Sequence, residues 1–130
     1  NDSHKFESNF VSLEIPKNNS VMFGSLSGTK LGVWVAHGEG KFEFPYEEKE
    51  YNIIAKYNYD GYPANPNGSP WSVAGVCSKD GRHLAMMPHP ERAIFPWQCG
   101  YYPADRKEND EVTPWIEAFV NARKWIENNK

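Results

Sequence analysis

Stretches of strict alternation between apolar and polar side chains dominate the first two thirds of the chain, and one stretch of helical spacing closes it. From Phe6 to Ile15, Val11, Leu13 and Ile15 alternate with Phe10, Ser12 and Glu14. That is the pattern of a half-buried strand, stopped by Pro16. Lys17 to Ser20 is a turn cluster, and Val21-Met22-Phe23 fits either a short strand or a helical turn. After Gly28, residues Lys30 to Ala36 form a continuous apolar run of the kind buried on both faces. It leads directly into His37-Gly38-Glu39-Gly40. Two readings of those glycines stay open: a hairpin turn into Lys41-Phe42-Glu43-Phe44, or a strand end where a ligand meets backbone amides. Pro45 to Tyr51 predicts an acidic helical turn, and Asn52 to Tyr59 alternates again as a strand.

Asp60 to Pro70 is rich in Asn, Pro and Gly and predicts a surface loop shaped by its own side-chain-to-backbone bonds. Ser72 to Ser78 and His83 to Met87 predict two strands, joined at Asp80-Gly81 as a two-residue hairpin turn. That register sets Cys77 opposite Leu84 and His89 opposite Ser72, and folds the Asn65 to Trp71 loop against the His89 end. Past Arg92 the chain is aromatic and irregular, and Lys107 to Glu111 is a charged loop. Thr113 as cap and Pro114 in the first turn open a helix over 113–128. Trp115, Ile116, Phe119, Val120, Ala122, Trp125 and Ile126 supply its apolar stripe.

Composition narrows the partners. At 130 residues the chain is one domain at most, and aromatics at 15% argue against disorder. A net charge of −3 leaves no basic footprint for nucleic acid. No apolar run is long enough to cross a membrane, and no leader pattern is present. Cys77 and Cys99 form neither a metal-ligand spacing nor a disulfide framework, which fits a reducing, cytoplasmic compartment.

The candidate chemistry lies in Met86-Met87-Pro88-His89-Pro90-Glu91-Arg92. Each proline biases the residue before it toward an extended backbone. In an extended chain, residues i and i+2 share a side, about 6.6 Å apart. Glu91 can then orient one imidazole nitrogen of His89, the base-and-orienter half of a nucleophilic triad. The competing reading is a strand-ending turn with an ion pair to Arg92. Cys77 sits roughly 16 Å up the hairpin ladder and cannot be the thiol that His89 activates. Cys99 lacks the tight strand-to-helix turn of an exposed nucleophile and reads as structural. A metal set of His37, His83, His89 and Glu91 fails because His83 lies beside the hairpin turn.

Four stretches together resemble a known family: His37-Gly38-Glu39-Gly40, Tyr62-Pro63-Ala64-Asn65-Pro66-Asn67-Gly68-Ser69, Ala74-Gly75-Val76 and the His89 stretch. They are similar to the C-terminal class I glutamine amidotransferase domain of phosphoribosylformylglycinamidine synthases. Arg92-Ala93-Ile94 leading to Pro96-Trp97-Gln98, and Pro114-Trp115 leading to Phe119 through Trp125, resemble the large single-chain form. The fold implied is the C-terminal part of a flavodoxin-like α/β domain, with a strand-rich mixed sheet, the hairpin 72–87 and the helix 113–128. Residues 1–130 would then be one partial domain, and the lack of an initiating methionine agrees with a piece of a longer enzyme.

The resemblance implies a catalytic role for His89 and Glu91, and places His37 and Gly38 beside the main chain of the substrate glutamine. It also implies that the nucleophilic cysteine lies in a glycine-rich turn outside this chain. Lys5 and Asn9 stand where the family carries arginines beside Phe6-Glu7. The implied product is ammonia, delivered to an ATP- and Mg-dependent synthase site of the parent enzyme that converts formylglycinamide ribonucleotide to its amidine. No cofactor is expected in this chain. Its partners would be glutamine and the upstream part of the same polypeptide, with self-association of the chain alone. A module of the same fold that only docks or regulates is the alternative.

Overall fold

The computed structural model describes residues 1–130. Five strands form one sheet: β1 (Glu7–Glu14), β2 (Lys30–His37), β3 (Asn52–Tyr57), β4 (Val73–Cys77) and β5 (Leu84–Met86), in the order β2-β1-β3-β4-β5. Every pairing is antiparallel, so the sheet is not the mixed one expected. The helices are a short α1 (Ala104–Lys107) and α2 (Ile116–Asn128).

The alternation in β1 does what its period dictates. Leu13 and Ile15 are fully buried and Val11 nearly so, while Glu14 faces solvent. β1 pairs with β2 in a register that sets Val11 against Val33 and Leu13 against Leu31. The apolar run of β2 is therefore not a central strand of a parallel sheet. β2 ends the sheet, with Val33 and Val35 inward and the other face covered by side chains from elsewhere. Phe10 packs edge-on to Trp34 at 5.0 Å, and the Trp34 indole donates to the Gln98 carbonyl at 2.7 Å.

Trp115, just before α2, seals the core. It is 1% exposed, packs against Phe23 at 5.7 Å, and donates its indole N–H to the Gly32 carbonyl at 2.9 Å. Truncating such a side chain costs about 3–5 kcal/mol. The helix itself starts later than expected. Thr113 is buried and its hydroxyl donates to the Ala93 carbonyl rather than capping α2. Residues 113 to 118 instead climb through tight i→i+3 bonds before the α-helical pattern takes over. Of the expected apolar stripe only Trp115 is buried, whereas Phe119, Val120 and Ile126 are 39%, 40% and 57% exposed; Ala118, which the stripe did not include, is buried as well.

The hairpin keeps its expected register: Cys77 pairs with Leu84, Val76 with Ala85 and Gly75 with Met86. Its turn differs by one residue. The Gly81 N–H donates to the Ser78 carbonyl, so Lys79 and Asp80 are central and Gly81 follows with φ of +76°. Asp80 holds the turn by accepting from the Ser78 hydroxyl and the Arg82 amide. Lys41 to Phe44 forms no strand, so no hairpin follows His37. Its aromatic rings stack instead, Phe44 with Phe42 at 5.4 Å and with Trp71 at 5.3 Å.

The ladder also ends before His89 can meet Ser72. Past β5, the Met87 amide still bonds the Ala74 carbonyl. The chain then crosses to the far end of the sheet, where His89 bridges Trp34 of β2. The sheet is curled enough for the chain leaving one terminal strand to pair with the other.

Candidate active site

His89 is fixed by its backbone before its side chain does anything. Its N–H donates to the Trp34 carbonyl at 2.9 Å, anchoring it to β2. Pro90 cannot donate a hydrogen bond and starts a 3₁₀ turn over Pro90–Arg92, closed by the Arg92 and Ala93 amides on the carbonyls of His89 and Pro90. Glu91 therefore reaches His89 by way of a turn and not along an extended strand. The outcome is the contact the sequence suggested: His89 Nδ1 and Glu91 Oε1 lie 2.9 Å apart. A carboxylate can only accept, so Nδ1 carries the proton and Nε2 of the neutral ring keeps a lone pair. Arg92 forms no ion pair with Glu91.

The pair opens onto a groove of about 290 Å³. Met22, Leu84, Met86 and Phe119 give it apolar walls, with Pro88 to Glu91 along one side. Neither cysteine thiol of the chain joins this site. The Cys77 thiol sits 3.0 Å from the Asn52 amide nitrogen, and the Cys99 thiol donates to the Phe95 carbonyl. Burial pushes both thiols above the ordinary cysteine range, the opposite of what a nucleophile needs.

His37, at the end of β2, is brought to the same place, its ring centre 6.3 Å from that of His89. Its Nε2 lies 2.9 Å from Asn67 Oδ1, in the loop between β3 and β4. That loop is thus folded toward the His89 end, but through His37 and not through the hairpin ladder. Burial, the largest effect, lowers the His37 pKa; the Asn67 hydrogen bond opposes it, and positive charge on His89 adds to it. At Gly38 an added Cβ would meet only the Phe6 ring, at 3.8 Å, so packing does not demand glycine there. At Gly40 it would lie 2.2 Å from His37 Cδ2 and 2.7 Å from Asn67 Nδ2. The second glycine is what lets those side chains approach.

The sequence reading missed three members of this assembly. Asn67 is fully buried, and its Oδ1 accepts from the Tyr57 hydroxyl at 3.0 Å. The Asn1 carboxamide joins it from the chain start. Glu7, opposite His37 in the β1–β2 register, is buried and accepts from the Tyr62 hydroxyl at 3.3 Å. A polar residue at an inward position of β1 was the available signal for Glu7. No three His, Cys, Asp or Glu side chains converge as a metal site would require.

Residues 1–126 match the CobB/CobQ-like glutamine amidotransferase domain family. The chain is 43% identical to a probable phosphoribosylformylglycinamidine synthase, chloroplastic/mitochondrial, of Arabidopsis thaliana, over 98% of its length and 10% of that protein. It is 42% identical to the phosphoribosylformylglycinamidine synthases of Drosophila melanogaster and Homo sapiens, over 96% of its length and 10% of each. The chain thus spans about a tenth of the length of the curated relatives it matches. Among solved structures, PurLQS from Thermotoga maritima superposes with a TM-score of 0.72 and 25% identity, over 97% of this chain and 50% of that one.

Proposed function

The chain belongs to the CobB/CobQ-like glutamine amidotransferase domain family, and from that membership we propose that His89 and Glu91 are the proton-transfer and orienting residues of a glutaminase site. The single observation that supports this most is the His89–Glu91 hydrogen bond, 2.9 Å long, at the edge of an open groove.

Since neither Cys77 nor Cys99 serves the site, the nucleophilic cysteine comes from a segment outside these residues, within a longer polypeptide. Its thiol gives a proton to His89 Nε2 and the sulfur attacks the side-chain amide carbon of glutamine. The imidazolium, stabilised by Glu91, returns the proton to the departing nitrogen, and ammonia leaves behind a thioester. Water, deprotonated by the same Nε2, then cleaves the thioester to glutamate and regenerates the thiol. His37 and Gly38 border the glutamine main chain in this reading.

The ammonia feeds an ATP- and Mg-dependent synthase site elsewhere in the parent enzyme, which converts formylglycinamide ribonucleotide to formylglycinamidine ribonucleotide in purine biosynthesis. This chain's own residues need no metal or cofactor for the steps above. We assign the cytoplasm as its compartment, on two free thiols; no helix is long and apolar enough to cross a membrane.

The test is the ratio of glutamine-driven to ammonia-driven synthesis in the parent enzyme. His89→Ala lowers the glutamine-driven rate by roughly 10²–10⁴-fold and leaves the ammonia-driven rate intact. Equal loss of both rates would assign His89 a structural or coupling role. Retention of both would favour a docking module without catalysis.

A further inference from the structure

Beyond the catalytic pair, a chain of fixed hydrogen-bond donors runs into the site and sets the state of its second histidine. It begins at a group whose direction is not adjustable. The Gly40 backbone N–H lies 2.8 Å from the Asn1 carboxamide and can only donate, so the atom facing it is the amide oxygen. The other side of Asn1 agrees: its nitrogen donates to the carbonyls of Lys5 and His37, at 2.9 and 2.8 Å. The Asn67 group 2.8 Å from that same Asn1 oxygen must then be its NH₂. This turns the Asn67 oxygen toward Tyr57 and His37, where it can only accept. His37 Nε2 is consequently the protonated nitrogen.

In a neutral imidazole one nitrogen donates and the other accepts, so Nδ1 holds a lone pair. Nδ1 makes no hydrogen bond within the chain, and no side-chain nitrogen or oxygen is buried without a partner. It is therefore open to solvent, on a ring whose centre is 6.3 Å from that of His89. At that spacing one ligand can touch both rings.

We propose that Asn67 is a positioning residue that locks His37 as the Nε2–H tautomer, so that His37 Nδ1 accepts a hydrogen bond from an N–H donor of the bound substrate. Glutamine carries two such donors, the α-ammonium and the side-chain amide. The inference rests on the glutaminase reading for the identity of the substrate, but the tautomer is a property of the chain alone. Burial favours the neutral ring on which the acceptor depends.

The proposal is tested first without substrate. Nitrogen-15 NMR of the imidazole rings of the full chain, which has four histidines, reports which nitrogen of His37 is protonated. The Nε2–H form is expected above the titration of His37, and persists in Tyr57→Phe, which leaves the Asn67–His37 bond in place. An Nδ1–H form in the wild-type chain overturns the proposal, and this result needs no variant to fold. Asn67→Ala should release the ring to the other tautomer or to a mixture.

In the parent enzyme, His37→Ala should raise the KM for glutamine about 10-fold to 100-fold, with kcat much less affected, as expected for a lost hydrogen bond to a polar or charged group. Two substrates separate the donors: glutaramate, which lacks the α-ammonium, and glutamate γ-methyl ester, which lacks the amide N–H. The KM penalty should vanish for whichever lacks the group His37 reads. A penalty undiminished for both overturns the proposal. Failure of the glutaminase reading shows itself separately, as a glutamine-driven rate that survives His89→Ala.

Discussion

At the scale of single residues, the site shows a division of labour between two histidines held by different kinds of partner. His89 leans on a carboxylate, which stabilises the imidazolium when it forms. His37 leans on a neutral carboxamide in a half-buried position, and burial, against the opposing Asn67 hydrogen bond, lowers its pKa and so favours the uncharged ring. Glu91→Ala should therefore lower the glutamine-driven rate less than His89→Ala, since the ring keeps its chemistry and loses its orientation; the same rate ratio measures it. His37 carries a pH signature of its own. Unfolded, it titrates near about 6.5; folded, it takes a proton only at lower pH. Between those values the unfolded chain binds more protons, so stability falls as pH drops through the window. Urea midpoints of the wild-type chain should drop from about pH 7.5 to about pH 5.5 by more than those of His37→Gln, and parallel losses would refute the assignment. The His89–Glu91 pair was legible because two prolines leave few backbone options for the residues between and after them. Asn67 was not, because composition marks the Asn65–Gly68 stretch as a loop without saying which polar group turns inward.

At the scale of elements, local chemistry fixed pairing better than it fixed ends. Asp80-Gly81 set the hairpin register, and Cys77 does face Leu84. The turn moved by one residue because Asp80 bonds both Ser78 and Arg82, leaving Gly81 to take the left-handed position. A Cβ at Gly81 would also lie 2.2 Å from the Asn19 carbonyl oxygen. Gly81→Ala should thus cost about 1–2 kcal/mol from the backbone conformation and more from the collision. A clear drop in melting temperature is expected, and an unchanged one would mean the turn is not held against Asn19. Helix α2 began late for a comparable reason: a buried threonine hydroxyl satisfied a carbonyl of the preceding segment instead of an amide of its own first turn. Strand order was the least legible feature. Alternation shows which face of a strand is buried, but it carries no information on which strand lies beside it. The crossing of His89 to β2 is therefore absent from the pattern.

At the scale of the whole molecule, the His89–Glu91 pair lies beside surface that calls for a partner. Phe119 is 39% exposed and lines the groove at His89, and Val120 and Ile126 on the same helix are 40% and 57% exposed. Phe95 and Trp97 stack on each other at 6.0 Å and are also exposed. Clustered apolar exposure of this kind marks association surfaces. Two outcomes are expected of the chain alone. The chain alone should release no glutamate from glutamine at enzymatic rates, since loss of a triad nucleophile costs on the order of a millionfold in turnover; glutamate release near such rates would refute it. The same chain should self-associate with rising concentration, because Phe119, Val120 and Ile126 of α2 stay exposed. Sedimentation velocity of wild type against Phe119→Glu separates the possibilities: the wild type should shift toward larger species and the variant should stay monomeric. In the parent enzyme Phe119→Glu should then lower glutamine-driven synthesis and spare ammonia-driven synthesis, because the charge disturbs the wall next to His89 and not the remote synthase site. If both rates survive, the groove is surface that merely happens to border His89 and Glu91.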